Sequence, residues 1–329
     1  MDENSGIALD AVSRRFGDQT VVDRISLALD PGLILGIIGP SGAGKTTTIR
    51  LLTGALAPSE GTVRVLGEDP RRYRRRTRER LGYMPQQFSL YEDLTTVENV
   101  DFVASMFGML APRRRRRIPE ILKLIDLWPA RSRQAGKLSG GMQRRLQLAC
   151  ALVHDPLLVF LDEPTAGIDP LLRERIWAEL HRRREAGRTL VVTTQYVTEA
   201  EECDVVALID EGHLVALGRP EELRRTALGG EVVEIETAAP VPLSALVERE
   251  DVIDGGRVGP NRYRLVVEDA AEAIPAIVDG LTASGAEVSA TREERVSFEE
   301  VFSLLVRRSR GQPSDPGTPE TESDAEAAA

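Results

Sequence analysis

The run GPSGAGKTT, Gly39 to Thr47, sets three glycines ahead of a lysine and two threonines, the spacing GxxxxGK[ST]. Gly39, Gly42 and Gly44 let backbone N–H groups turn inward, and a following helix N-terminus adds partial positive charge, so a polyphosphate is held mainly by main-chain donors. Ser41 belongs to the same cradle. Lys45 is expected to reach the outer phosphates, Thr46 to offer its hydroxyl to Mg²⁺, and Thr47 to serve a phosphate oxygen. A second chemical pair, Asp162 and Glu163, follows the apolar run Leu157–Leu161 and precedes Pro164. Asp162 is placed to help hold Mg²⁺ through its water shell, and Glu163 to act as base for an attacking water.

These residues need elements to position them. Leu33–Ile38 is short, continuous and apolar, as expected for a parallel strand buried on both faces. Ile49, Leu52 and Leu56 at helical spacing predict a helix after the cradle. Thr62–Leu66 reads as a strand after the turn at Pro58–Gly61, so the residues before about Gly82 predict a strand-rich lobe carrying both Phe16 and the cradle. From Leu94 to Val153 helical spacing dominates: Ile118, Ile121, Leu122 and Ile125 form one stripe, with Pro119 suited to a first helical turn. Apolar runs at Leu157–Leu161, Leu190–Val192 and Val205–Ile209 return the chain to a doubly covered parallel sheet.

With Leu138–Gln143 (LSGGMQ) added, the chain resembles the ATP-binding cassette (ABC) ATPases from about Asp2 to Leu223. The motifs stand in the family's order. Phe16 is similar to the adenine-stacking aromatic, Gln86 in GYMPQQ to the Q-loop glutamine, LLVFLDEP to Walker B, and Asp169 in AGIDP to the D-loop. The resemblance implies an α/β fold: a P-loop NTPase of ABC type with a RecA-like parallel-sheet core, an antiparallel β lobe and a helical subdomain at about 88–153. It implies ATP and Mg²⁺ as ligands, with Gln86 beside the metal. It also implies that Ser139, Gly140, Gly141 and Gln143 of the signature meet the nucleotide bound by another subunit. A serine N-cap, two small residues and a helix dipole suit that role. Because cradle and signature are both intact, a homodimer is expected to complete two sites.

One position departs from the wider family, which places histidine where this chain has Gln195 in TTQYVTEAEECD. An amide both donates and accepts but carries no proton or charge. Two readings follow, a working substitute or an ATP-gated binding module with weak hydrolysis. Glu163, Gln86 and Asp169 favour the working enzyme.

The 329 residues suffice for two domains, and Cys150 and Cys203 lack disulfide or metal spacing. There is no apolar run of about 18 to 20 residues to span a membrane, and MDENSGI lacks the character of a signal peptide, so a cytoplasmic location is expected. The net charge of -10 argues against a general nucleic-acid binder, although arginine runs stand at Arg71–Arg80 and Arg113–Arg117.

The ABC domain is expected at 1–228. At 229–310 the composition predicts a small α+β accessory domain: Val233, Ile235 and Thr237, and Tyr263, Leu265 and Val267, read as strands. Ile274, Ile277, Val278 and Leu281 share a helix face, and Ser297 with Glu300 predicts a capping box before Phe298, Val301, Phe302 and Leu305. The ending SFEEVFSLLV is similar to the C-terminal domain of daunorubicin-resistance-type drug-exporter ATPases. An acidic tail at 311–329 is expected to be disordered. The reading is the ATPase subunit of a transporter at the cytoplasmic membrane face, with a separate permease that meets the segment Phe88–Leu94, exporting drugs, lipids or other hydrophobic compounds. Its rival is a soluble ABC ATPase acting on nucleic acid or ribosomes; the acidic balance and the lack of a long heptad insert speak against it.

Overall fold

The computed structural model describes residues 6–311, which form two compact units, one ending at Pro220 and the other beginning at Glu221. The expected tail lies outside the described residues apart from Gly311.

The first unit begins with a hairpin of β1 (Ile7–Phe16) and β2 (Gln19–Leu29), followed by β3 (Ile34–Ile38), α1 (Lys45–Leu52) and β4 (Glu60–Val65). A one-turn α2 (Arg75–Arg78), β5 (Leu81–Met84), α3 (Thr96–Met106), α4 (Ala111–Leu124) and α5 (Gly140–Leu152) come next. The unit closes with β6 (Leu158–Asp162), α6 (Pro170–Glu185), β7 (Thr189–Thr194), β8 (Val205–Asp210) and β9 (His213–Gly218).

Two sheets result. The antiparallel one has the order β2-β1-β4, and the six-stranded one the order β5-β6-β7-β3-β8-β9, parallel except for the terminal β8–β9 pair. Every residue of β3, β6 and β7 is buried, as strands covered on both faces require. The cradle strand β3 therefore lies at the heart of the parallel sheet, whereas Phe16 ends a strand of the antiparallel one. The expectation that one strand-rich lobe holds both is corrected: β3 precedes β4 in sequence but pairs with β7 and β8. Both sheets share one core in which Ile7, Leu27 and Val65 join Ile37, Phe160 and Val191.

The helical subdomain also departs from expectation at Pro119. Helix α4 starts at Ala111 with Pro112 in its first turn, and Pro119 sits inside it. The arginine run is itself helical, and burial of Ile118, Ile121, Leu122 and Ile125 offsets the N–H that Pro119 cannot donate. Helix α3 starts with a reciprocal capping box between Thr95 and Glu98. Fully buried Asn99 then pins the preceding loop, its Oδ1 accepting from Tyr91 N at 3.0 Å and its Nδ2 donating to Tyr91 O at 2.9 Å.

In the second unit, α7 (Pro220–Leu228) and β10 (Glu231–Thr237) precede α8 (Ser244–Val247), β11 (Val252–Arg257), β12 (Arg262–Val267), α9 (Ala270–Ala283), β13 (Val288–Glu294) and α10 (Phe298–Ser309). The unit starts before the composition shift at Gly229 because Arg224 is buried there, donating from Nε to Val296 O at 3.1 Å. Its sheet has four antiparallel strands in the order β11-β12-β10-β13, two more than the hydrophobic pattern predicts. Val233, Ile235, Tyr263, Leu265 and Val267 face a core with Ile277 and Leu281. Ser297 caps α10, whose buried face includes Leu304 in place of the expected Phe302.

Candidate functional site

Four strands that are neighbours in the sheet, β5, β6, β7 and β3, each end in a residue the sequence singled out. Gln86 follows β5, Glu163 follows β6, Gln195 follows β7, and the cradle follows β3. The carboxyl edge of a parallel sheet is where α/β folds place ligands, and the strand order brings these segments side by side.

The cradle is shaped by close backbone approach. A Cβ at Gly39 would collide with the Ile209 carbonyl. Gly44 caps α1 at φ 103 and ψ 0, and a Cβ there would stand 2.7 Å from Val21 O. Lys45 is buried to 5 % exposure, its Nζ donating to Gly39 O at 2.7 Å and to Pro40 O at 2.8 Å. Burial pulls the Lys45 ammonium below its ordinary pKa, opposed by the nearby charges of Glu163 and Asp162. The cation therefore lies over the loop and close to both acids.

Asp162 is fully buried, and its Oδ1 accepts from Thr193 Oγ1 at 2.6 Å and from Thr46 Oγ1 at 3.2 Å. Its Oδ2 is buried without a hydrogen-bond partner among the described residues. Burial raises the Asp162 pKa, opposed first by the hydrogen bonds from Thr193 and Thr46. A buried carboxylate with one oxygen unspent, bonded to the threonine at the head of α1, suits a hydrated divalent cation, so the donors present fit Mg²⁺.

Glu163 turns into the left-handed region at φ 53, a conformation non-glycine residues adopt sparingly and one that recurs at functional sites. Its peptide is held from both sides. The Glu163 N–H is shared between Thr193 O and Thr193 Oγ1, both at 3.0 Å, while its carbonyl accepts from Arg144 Nε at 2.6 Å. Gln195 and Gln86 are exposed. Behind Gln86, the α5 residue Gln147 donates from Nε2 to Gln87 O at 2.7 Å and fixes the loop.

The remaining expected residues lie around this centre. Phe16 is exposed at the end of β1, with the Arg14 guanidinium 4.5 Å from its ring centroid. The same β1–β2 hairpin brings Val21 against Gly44, which joins Phe16 to the cradle through a single element. Ser41 and Gly42 are exposed on the loop, and Thr47 is half-buried on α1. Ser139 caps α5 by accepting from Met142 N at 3.4 Å, and Ser139 and Gly140 are exposed. Gly141 packs beside Gly167 O, and Gln143 donates to Ala135 O at 3.1 Å. Asp169 caps α6 by accepting from Leu172 N at 3.0 Å.

Thr193, Arg144 and Gln147 were not anticipated. The paired threonines closing β7 after the apolar run Leu190–Val192 were a usable signal, since a buried polar side chain needs a partner. Arg144 and Gln147 gave none, because their partners lie on other elements. Several arginines of the two runs pair with carboxylates: Arg71 with Asp69 at 2.6 Å, Arg75 with Glu79 at 2.9 Å, Arg114 with Asp101 at 2.8 Å and Arg116 with Glu120 at 3.1 Å.

A separate cavity of about 480 Å³ opens beside the Gln86 loop, lined by Tyr83, Leu90, Val103, Phe107, Cys150 and His154 among others. Tyr91, Phe102, Met106 and Leu110 are exposed on the same helical subdomain. Cys150 and Cys203 are both free and buried.

Comparison with known proteins places the site in context. The family described as ABC transporter matches residues 22–166. The chain is 41% identical over 253 residues to a Nod factor export ATP-binding protein I of Paraburkholderia xenovorans, covering 75% of this chain and 83% of that relative. It is 38% identical over 220 residues to the probable multidrug ABC transporter ATP-binding protein YbhF of Escherichia coli, covering 67% of this chain but only 38% of the relative. Among solved structures it is similar to the dimeric, post-hydrolysis ATP-binding cassette MJ0796 bound to ADP and Pi, with a TM-score of 0.60 and 27% identity over 65% of this chain and 98% of that one.

Proposed function

The chain belongs to the ATP-binding proteins of ABC transporters, and from that premise we propose that it is the ATP-hydrolysing subunit of an exporter whose permease is a separate chain. The observation that carries this reading is the convergence of the cradle, Asp162, Glu163 and Gln195 on one edge of the parallel sheet. The names of the relatives, Nod factor export and multidrug transport, support outward movement of drugs, lipids or other hydrophobic compounds.

Backbone N–H groups of the cradle would bind the phosphates of ATP, with Lys45 turning from the Gly39 and Pro40 carbonyls to the outer phosphates. Phe16 would stack on the adenine. Thr46 and Asp162, with Gln86 nearby, would hold Mg²⁺, which when bound neutralises charge on the outer phosphates. Glu163 would accept the proton of the attacking water, and Gln195 would donate its amide to the γ-phosphate.

Ser139 and Gly140 face outward, which suits contact with a nucleotide held by a second copy, so a homodimer with two composite sites is the assembly proposed. Gln143 and Asp169 would border that nucleotide. The cavity and exposed apolar residues beside the Gln86 loop suit an apolar helix of the permease, which would hold the protein at the cytoplasmic membrane face. No helix among the described residues is long and apolar enough to cross a membrane. The second unit is proposed as an accessory domain. Pairing of several run arginines with carboxylates, together with the transporter names of the relatives, weighs against the nucleic-acid alternative.

The test is Glu163→Gln in the purified full chain with Mg²⁺ and ATP. Turnover should fall about 10²- to 10⁴-fold, and the variant should elute as an ATP-dependent dimer. Turnover within a few-fold of the parent would remove Glu163 from the base role.

A further inference from the structure

We propose that Arg144 is a positioning residue that ties the signature segment to the hydrolytic acids of its own chain, so that contact with a nucleotide on the partner is transmitted to Glu163. The inference rests on the dimer reading above. Arg144 lies in the early turns of α5, the helix that Ser139 caps, and its side chain is only 17% exposed. Its Nε donates to Glu163 O at 2.6 Å, its Nη2 donates to Asp162 O at 3.1 Å, and Nη2 stands 3.8 Å from Glu163 Oε2. One planar fork therefore grips two successive carbonyls at the end of β6 and presents positive charge to the candidate base. An ammonium cannot reproduce that geometry.

The target of this grip is a strained peptide. Glu163 sits at φ 53, and its N–H is already held by Thr193, so Arg144 supplies the opposing restraint. The two segments also run close together, since a Cβ added at Gly141 would lie 3.4 Å from Gly167 O in the loop between Glu163 and Asp169. A helix transmits displacement along its axis. When the exposed Ser139–Gly140 end engages an anion on the partner, α5 would carry that displacement to the Glu163 carbonyl through Arg144. Within a dimer, each chain's signature serves the partner's nucleotide while its Glu163 serves its own. Arg144 thus joins the two sites inside one chain.

The experiment uses the full chain as parent, Arg144→Lys, Arg144→Met, Ser139→Ala and the Ser139→Ala/Arg144→Lys double variant, measuring kcat, KM and ATP affinity. Arg144→Met should lower kcat about 10- to 100-fold and Arg144→Lys somewhat less, with ATP affinity within about twofold of the parent. The double variant should be no more than about twofold slower than the slower single variant, because both act along one route. Arg144→Lys keeps length and charge, so it reads the fork even where Arg144→Met fails to fold. Losses that multiply in the double variant, unchanged kcat in both Arg144 variants, or affinity falling in step with kcat would overturn the link alone. A parent without turnover, with or without its permease, would overturn the functional reading and the link with it.

Discussion

Thr193 holds both acids of the site: its hydroxyl donates to Asp162 Oδ1 at 2.6 Å, and the same oxygen accepts from Glu163 N at 3.0 Å. The pairing of β6 with β7 sets Asp162 directly opposite Thr193. A single side chain on the neighbouring strand thereby fixes the Asp162 carboxylate proposed to face the metal and the backbone of Glu163, the proposed base.

Thr193→Val keeps the shape and removes both bonds. Loss of a hydrogen bond to a buried carboxylate should cost about 1 to 3 kcal/mol of stability, and the loosened Glu163 peptide should slow turnover about tenfold. Urea unfolding and steady-state ATPase rates on one preparation check this. A variant as stable and as fast as the parent would show that the strand pairing alone places the acids.

His154 should make stability depend on pH. Its ring stacks on Phe107 with centroids 3.8 Å apart, Nε2 lies 3.0 Å from Leu81 O, and Nδ1 is buried without a hydrogen-bond partner among the described residues. The contact with a carbonyl makes Nε2 the donor, so protonation would fall on Nδ1 and bury an unmatched N–H. Burial accordingly lowers the His154 pKa to about 4. With the folded value below the unfolded value of about 6.5, the unfolded chain takes up the proton first. The contribution is full above about pH 6.5 and is lost as pH falls towards 4, amounting to about 3 kcal/mol at most. His154→Gln removes the titrating ring, so the parent's stability should fall more steeply than the variant's across that window in urea titrations. Parallel curves would refute the assignment.

If Gln195 holds the γ-phosphate as proposed, its amide does not titrate, so the parent should hydrolyse ATP without a histidine-like ionisation from this position. Gln195→His should remain active and gain a pH dependence near about 6.5, displaced by the adjacent phosphate. Gln195→Ala should slow hydrolysis more than it weakens nucleotide binding. Rates measured from about pH 6 to 9 decide the matter. An alanine variant as fast as the parent would make Gln195 a bystander.

The sequence by itself determined the cradle, because Gly39–Thr47 is contiguous and its glycines and lysine act through local backbone geometry. It also determined that β3, β6 and β7 are buried strands, since continuous apolar runs cannot face water on either side. Ser139 as a helix cap was equally local. Tertiary structure alone decided the rest. Strand order set Gln86, Glu163, Gln195 and the cradle side by side, and no periodicity encodes which strand pairs with which. Phe16 fell on a different sheet from the cradle because β3 inserts between β7 and β8. Strands β11 and β13 escaped notice because their exposed, charged or glycine-containing stretches gain their hydrogen bonds only from β12 and β10. Arg144 reads as one more arginine in a helix until folding lays its guanidinium across the Asp162 and Glu163 carbonyls. Chemistry carried by neighbours in sequence was legible, and chemistry carried by neighbours in space waited for the fold, because loop closure and strand pairing are decided by the whole core.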